Sequence, residues 1–311
     1  MDELNLPADF IKNIHNSFEE EGVQFIKDLP RLIDASSQLW NLRHVQAVPN
    51  LSYNFVAFAK QADVDVVLKI GVPNPELNSE IAALKLFNGD GACQLLGCDE
   101  ERGFLLLERL KPGIMLADLT NDDERTNIAL DVMQKIWRKV PADGSDGIFI
   151  KLSDWFGALK KIRLKFNGGT GPFPEKILER VESFLPELLA DSLGAEHALP
   201  LLIHGDFHHF NVMLSERGWL AIDPKGVIGP AGYEIGPLML NPWNSISDRS
   251  RLKAQTKRRV SIISERLGWE RESILKWSTA HALLSAWWDM QDDGTGGEYC
   301  LWCAECFSEI N

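Results

Sequence analysis

Between Leu201 and Asp223 the chain reads LLIHGDFHHFNVMLSERGWLAID, and this stretch constrains the fold more than any other. A short apolar run, Leu201 to Ile203, ends at His204-Gly205-Asp206. Asn211 comes five residues after Asp206 and is followed by Val212 to Leu214, a polar turn Ser215-Glu216-Arg217-Gly218, and a second apolar run, Trp219 to Ile222, ending at Asp223. Two short apolar runs around a Gly-containing turn predict a β-hairpin. Residues equally distant from such a turn face each other across roughly 5 Å. Asn211 and Asp223 flank this turn almost symmetrically, so their side-chain oxygens can reach one cation, and Asp206 enters on the preceding loop. One carboxylate to orient a hydroxyl, with an amide and a carboxylate to hold Mg²⁺, is the chemistry of phosphoryl transfer.

The same residues carry a resemblance. HGDFHHFN fits the catalytic-loop pattern H-x-D-x-x-x-x-N, with Gly where protein kinases carry Arg, as in antibiotic phosphotransferases and choline kinases. Asp223-Pro224-Lys225-Gly226 stands where protein kinases have D-F-G. The longer run from Ile222 to Trp243 resembles the aminoglycoside/hydroxyurea resistance kinase family, of which streptomycin 6-phosphotransferases are members, and LSYNFVAFA and HALLSAWW extend the likeness toward both ends. The resemblance implies an α+β, protein-kinase-like bilobal fold. Residues 1–108 would form a small N-terminal lobe with a five-stranded antiparallel sheet plus helices, and residues 109–311 a larger, mainly helical C-terminal lobe. It implies ATP and Mg²⁺ as cofactors and transfer of the γ-phosphate to a hydroxyl of an aminoglycoside of the streptomycin type. A hydroxyurea-type or housekeeping small-metabolite kinase is the alternative, and a non-catalytic nucleotide-binding protein a further one.

The 311 residues suit one large domain or two lobes. A net charge of −13 argues against a nucleic-acid surface and would help attract a cationic small molecule. The start, MDELNLPADF, has no basic segment followed by an apolar core, so no secretory signal is expected. No apolar run approaches 18 residues, so no membrane span is expected, and the expected location is the cytoplasm. Oligomeric state leaves no signature. The five cysteines, Cys93, Cys98, Cys300, Cys303 and Cys306, are expected to be reduced. CLWCAEC has metal-like spacing but lacks a fourth ligand, and reads equally as small apolar residues on one side of a terminal helix.

Leu6 to Ala35 has helical periodicity interrupted at Gly22. Asn54 to Ala59 and Val64 to Ile70 read as neighbouring strands, Leu42 to Val48 as a weaker one ahead of them, and Cys93 to Cys98 and Gly103 to Leu107 as two more. Lys69 is the one charged residue of Val66 to Ile70 and reads alone as either an exposed edge lysine or a functional one. Its place before a helix carrying Glu80 matches the kinase lysine and its glutamate partner, with Glu76 as the rival partner. By the same analogy the backbone at Ser52 covers the phosphates, although no Gly-rich loop is present, and backbone groups of Glu108 and Leu110 hold adenine. Asp122–Val140, Ser153–Phe166, Phe173–Leu193, Asp248–Leu267 and Glu272–Gln291 are predicted helices.

Asp206 is the expected base, Asn211 and Asp223 the metal ligands, and His204 a structural bond to the loop backbone. The resemblance places the acceptor against the C-terminal lobe, with His208, Glu234, Trp287 and Asp289 as candidates and Asp292, Asp293 and Glu298 nearby. Gly205-Asp206-x-His208-His209 also has a passing likeness to metallohydrolase clusters, but no second compact His/Asp cluster accompanies it.

Overall fold

The computed structural model describes residues 6–140, 145–190, 201–243, 248–293 and 297–310. Helix α1 (Ala8–Trp40) turns back on itself at Glu19, whose φ of 46° and ψ of −123° are non-helical. The reversal seats Gly22 on Ile14, where a Cβ would stand 2.4 Å from the Ile14 carbonyl oxygen, so only glycine fits. Strands β1 (Leu42–Ala47), β2 (Phe55–Gln61) and β3 (Val64–Ile70) follow, then α2 (Pro75–Phe87), β4 (Leu95–Asp99) and β5 (Phe104–Glu108). They form one antiparallel sheet in the order β1-β2-β3-β5-β4. Alternation does the sorting in β2: Phe55, Ala57 and Ala59 are buried, while Phe58 and Lys60 face out. Phe10, Ile14, Phe25 and Leu29 of α1 share a core with this sheet. Helix α2 is capped by Asn74, whose side chain accepts from the Glu76 and Leu77 N–H groups.

Two smaller sheets build the second half. Strand β6 (Pro112–Met115) precedes α3 (Asp122–Ile136), β7 (Arg138–Lys139), β8 (Ile150–Lys151), α4 (Leu152–Gly157), α5 (Lys160–Lys165) and α6 (Glu175–Ala190). Then come β9 (Leu201–Ile203), β10 (Val212–Ser215), β11 (Gly218–Ala221), β12 (Val227–Gly229), α7 (Ile235–Leu240), α8 (Arg249–Leu267), α9 (Arg271–Asp293) and α10 (Glu298–Ser308). One sheet has the order β11-β10-β6 and the other β7-β9-β12-β8. The single helix expected over Ser153–Phe166 is instead the pair α4 and α5, parted after Gly157. Residues 191–193 of the expected Phe173–Leu193 helix lie outside the described residues. A large core joins α3, α6, α7, α8, α9 and α10 to the buried faces of β9 and β12.

Three features place the site. Val227 pairs with Ile203, which sets the loop after β9 beside the loop before β12. The hairpin β10–β11 pairs Val212 with Ala221, which brings Asn211 and Asp223 to its open end. Ala221 is also bonded to the segment after α2, donating to the Gly91 carbonyl (2.9 Å) and accepting from the Cys93 N–H (2.8 Å), so the hairpin bridges to the first sheet. Among the described residues no helix is long and apolar enough to cross a membrane.

Candidate active site

The loop from His204 to Asn211 is pinned from below. Gly205 has φ of 86°, and a Cβ there would stand 2.4 Å from a Val227 methyl, so only glycine passes between β9 and β12. The Asp206 N–H donates to His204 Nδ1 (3.2 Å), which leaves the imidazole proton on Nε2 to donate to the Ile222 carbonyl (2.9 Å). The His204 carbonyl in turn accepts from the N–H groups of Lys225 (2.7 Å) and Gly226 (3.2 Å). Burial pushes His204 down to about 4, so the ring is neutral. The expected structural role of His204 thus has a geometry: it ties the Asp206 loop to the Asp223 loop.

Asp206 emerges with its side chain 38 % exposed. Asn211 Nδ2 donates to the Asp206 carbonyl (2.9 Å) and approaches Oδ2 (3.4 Å), while His208 Nε2 lies 3.5 Å from Oδ1. Burial works to raise the Asp206 carboxyl, but His208, Lys225, His204 and His281 outweigh it and hold it below its ordinary value. At neutral pH it is a carboxylate with hydrogen-bonding capacity to spare.

From β3 the buried ammonium of Lys69 donates to both oxygens of Glu80, at 2.6 and 2.7 Å, and to Asp223 Oδ1. Burial works against the charge on Lys69, yet the carboxylates of Asp223 and Glu80 prevail and raise its pKa. Lys69 outweighs burial, with Lys225 adding to it, and holds Asp223 well below the carboxylate range. Burial lifts Glu80 to about 6 against the pull of Lys69. Glu80, and not Glu76, is therefore the partner; Glu76 lies instead 4.0 Å from Lys225. Asp223 sits at φ of 61°, inside a turn closed by Gly226, where a Cβ would strike the Ser79 carbonyl at 2.5 Å. Ser79 Oγ donates to the Gly226 carbonyl (2.5 Å), fastening that turn to α2.

The remaining candidates scatter. Ser52 is exposed between β1 and β2, its carbonyl accepting from Asn13 Nδ2 (3.4 Å). Glu108 ends β5, its N–H bonded to the Gln94 carbonyl (3.0 Å) and its carboxylate paired with Arg217 of the β10–β11 turn. Leu110 packs with Leu77, Ile81 and Leu105. Two acceptor candidates, Glu234 and Trp287, are buried. Glu234 is fully buried beneath the loop, where Oε1 accepts from the Gly205 N–H (3.0 Å). Trp287 is 2 % exposed and packs on Phe173, because its position on α9 faces the core. Asp289 is exposed at the far end of α9, with Cys300 Sγ 3.7 Å from Oδ2. The side chains of Asp292 and Asp293 lie outside the described residues. Cys300, Cys303 and Cys306 are buried along α10, and burial lifts Cys300 and Cys303 to about 12, far from the thiolate a metal needs. Among the described residues no cluster of three or more His, Cys, Asp or Glu side chains is placed to hold a metal.

The whole constellation is that of a kinase cleft, and comparison with known proteins decides which kind. Residues 42–294 match the family model described as aminoglycoside/hydroxyurea antibiotic resistance kinase. The chain belongs to this family. A streptomycin 6-kinase from Streptomyces griseus is 28 % identical over 295 residues, covering 94 % of this chain and 92 % of its own. A hydroxyurea phosphotransferase from Kitasatospora aureofaciens is 25 % identical over 293 residues, covering 93 % and 81 %. Among solved structures, choline kinase LicA from Streptococcus pneumoniae superposes with a TM-score of 0.61 at 16 % identity, covering 90 % of this chain and 98 % of its own. A ternary complex of an aminoglycoside phosphotransferase with ADP and hygromycin B gives 0.53 at 13 % identity, covering 88 % and 97 %. These place this resistance-kinase-family chain in the protein-kinase-like fold.

Motif reading of the family chain missed residues that the folded loop depends on. Lys225 acts on both Asp206 and Asp223 and stands inside the quoted DPKG segment, where its charge was the available signal. Arg259 is 1 % exposed and is bonded to both oxygens of Asp122 (2.9 and 2.6 Å) and to the carbonyls of Leu238 and Asn241. Its Nη2 also reaches His209 Nε2 at 3.5 Å, so α8 holds the loop from behind.

Proposed function

We propose that this family member is an ATP-dependent O-phosphotransferase whose acceptor is a small cationic molecule, an aminoglycoside of the streptomycin type. The observation that carries the reading is the convergence of Lys69, Asp223, Asn211 and Asp206, drawn from both halves of the chain, on one cleft. In this reading residues 1–108 and 109–311 are the two lobes, working in the cytoplasm. Lys69, held by Glu80, neutralises the α- and β-phosphates. The backbone near Ser52 covers the phosphates, and Glu108 and Leu110 border the adenine. Asp206 accepts the acceptor hydroxyl's proton as its oxygen attacks the γ-phosphorus and the bond to the β–γ bridging oxygen breaks. His208 borders the acceptor.

The donor set fits Mg²⁺. Asn211 uses its Nδ2 toward Asp206, which leaves the amide oxygen, and Asp223 Oδ2 remains beside the oxygen bonded to Lys69. Two hard oxygens, one from an ionised carboxylate, are what a phosphate-bound Mg²⁺ takes from protein. The ion supplies charge neutralisation along the β- and γ-phosphates. A second acceptor class, hydroxyurea or a related small metabolite, is favoured by the hydroxyurea phosphotransferase relative.

The test is ATP consumption against a panel of aminoglycosides, hydroxyurea and amino sugars, with Asp206→Ala as control. A streptomycin signal that vanishes in the control supports the first reading. A signal from hydroxyurea or a neutral metabolite alone selects the second, and silence across the panel removes both.

A further inference from the structure

A line of rings leads away from Asp206 along α9. Tyr233 precedes Glu234, whose Oε1 accepts from the Gly205 N–H (3.0 Å) one residue before Asp206, and its ring centroid is 5.3 Å from that of His281, which is 5 % exposed. His281 Nδ1 lies 3.0 Å from the hydroxyl of Tyr233, which is fully buried. Burial keeps that phenol protonated, and it shares one hydrogen bond with the ring. Gly236 packs so closely that a Cβ there would stand 2.3 Å from the His281 Cβ. The ring is thus held on two sides next to the loop.

Seven residues on, Trp288 occupies the same face of α9, two turns farther along. Its ring centroid is 6.3 Å from that of His281. Trp155 of α4 meets Trp288 edge-on at 5.3 Å and Tyr233 at 6.0 Å. Tyr233 and His281 are buried, whereas Trp155 and Trp288 are both partly open. Trp287 beside them is fully packed, so the exposure of Trp288 is not a general property of this end of α9. Indole faces attract flat, delocalised cations, and guanidinium groups stack on them. Streptomycin carries two guanidinium groups.

Resting on the phosphotransferase reading, we infer that Trp288 and Trp155, set beside Asp206 by the Tyr233–His281 pair, form an acceptor subsite that grips a guanidinium group by its flat face. The subsite binds the part of the acceptor that does not react and so fixes which hydroxyl reaches Asp206.

The experiment compares wild type with Trp288→Ala and Trp288→Phe by steady-state kinetics in each substrate. With Trp288→Ala the KM for streptomycin is expected to rise about tenfold, the KM for ATP to move less than about twofold, and Trp288→Phe to recover most of the loss. An aminoglycoside without guanidinium groups should be nearly indifferent to the change. A streptomycin KM within about twofold of wild type in Trp288→Ala, or an equal rise for ATP, overturns the subsite while leaving the transferase reading intact. Should wild type turn over no acceptor at all, the subsite is decided by streptomycin quenching of indole fluorescence. A half-quenching streptomycin concentration that rises about tenfold in Trp288→Ala supports it; no quenching, or the same half-quenching concentration in both proteins, overturns it.

Discussion

His208 and His209 are neighbours in sequence and opposites in the fold. His208 is partly exposed, with Nε2 3.5 Å from Asp206. His209 is fully buried, backed by Arg259 at 3.5 Å. The contrast extends to the whole loop. Its front holds Asp206, Asn211 and Asp223, a polar edge facing the cleft. Its back holds His209, Glu234 and Arg259, sealed from water and bonded to backbone or to one another. Polar residues packed into one short motif therefore divide between a front that opens to solvent at Asp206 and Asp223 and a back bonded to the protein itself.

Substitutions on the two sides should fail in different ways. At the front, Asp223→Ala is expected to lower kcat/KM by about a thousandfold, with a smaller loss of stability than at the back, because the Lys69–Asp223 pair is lost but Glu80 still pairs with Lys69. At the back, Arg259→Ala removes a buried cation bonded to both oxygens of Asp122 and to two carbonyls and should cost about 3–5 kcal/mol by denaturant titration, even though Arg125 and Gln255 still reach Asp122. A loss of activity with unchanged stability in Arg259→Ala would break the distinction.

Protons probe the back as well. His204 and His281 are held down to about 4 and 3 by burial, against 6.5 in an open chain, and His209 is lowered too. The unfolded chain takes up those protons first, so stability should fall as the pH drops from 6.5 toward 4. Glu234 has the opposite sense: burial lifts it to about 8 from 4.5, and stability is lost as the pH rises between those values. Glu234→Gln keeps the carbonyl acceptor for the Gly205 N–H and removes that loss, giving a gain of about 1–3 kcal/mol at pH 8 and none at pH 4. A gain independent of pH would show that Glu234 is ionised in the folded protein. The smallest effect is expected between the two sheets, where Arg217→Ala removes an exposed pair with Glu108 and should change stability by less than about 1 kcal/mol.

What the sequence disclosed follows the reach of its periodicities. The hairpin was legible because a Gly turn separates two apolar runs, and Glu80 because Ile81, Leu84 and Phe87 mark the buried stripe beside it. Strands β7, β8, β9 and β12 are two or three residues long, too short to display a period, and their pairing depends on contacts remote in sequence. The division of α4 from α5 turned on Gly157, which the surrounding helical spacing masked. Glu234 offered a signal of another kind: it is the one carboxylate between Val227 and Leu240, an otherwise apolar segment in which a polar group is buried where it finds a hydrogen-bond partner. Arg259 had no such marker, since α8 is rich in exposed basic residues and only packing selects this one.

The most direct measurement of the whole scheme is streptomycin-dependent ADP formation by Asp206→Asn at saturating ATP and Mg²⁺, beside wild type. A fall in kcat of at least about a thousandfold, with ATP affinity within a few-fold of wild type, is the expected result. Turnover within about tenfold of wild type would contradict it, because the carboxylate at the front of the loop would then take no part in moving the proton.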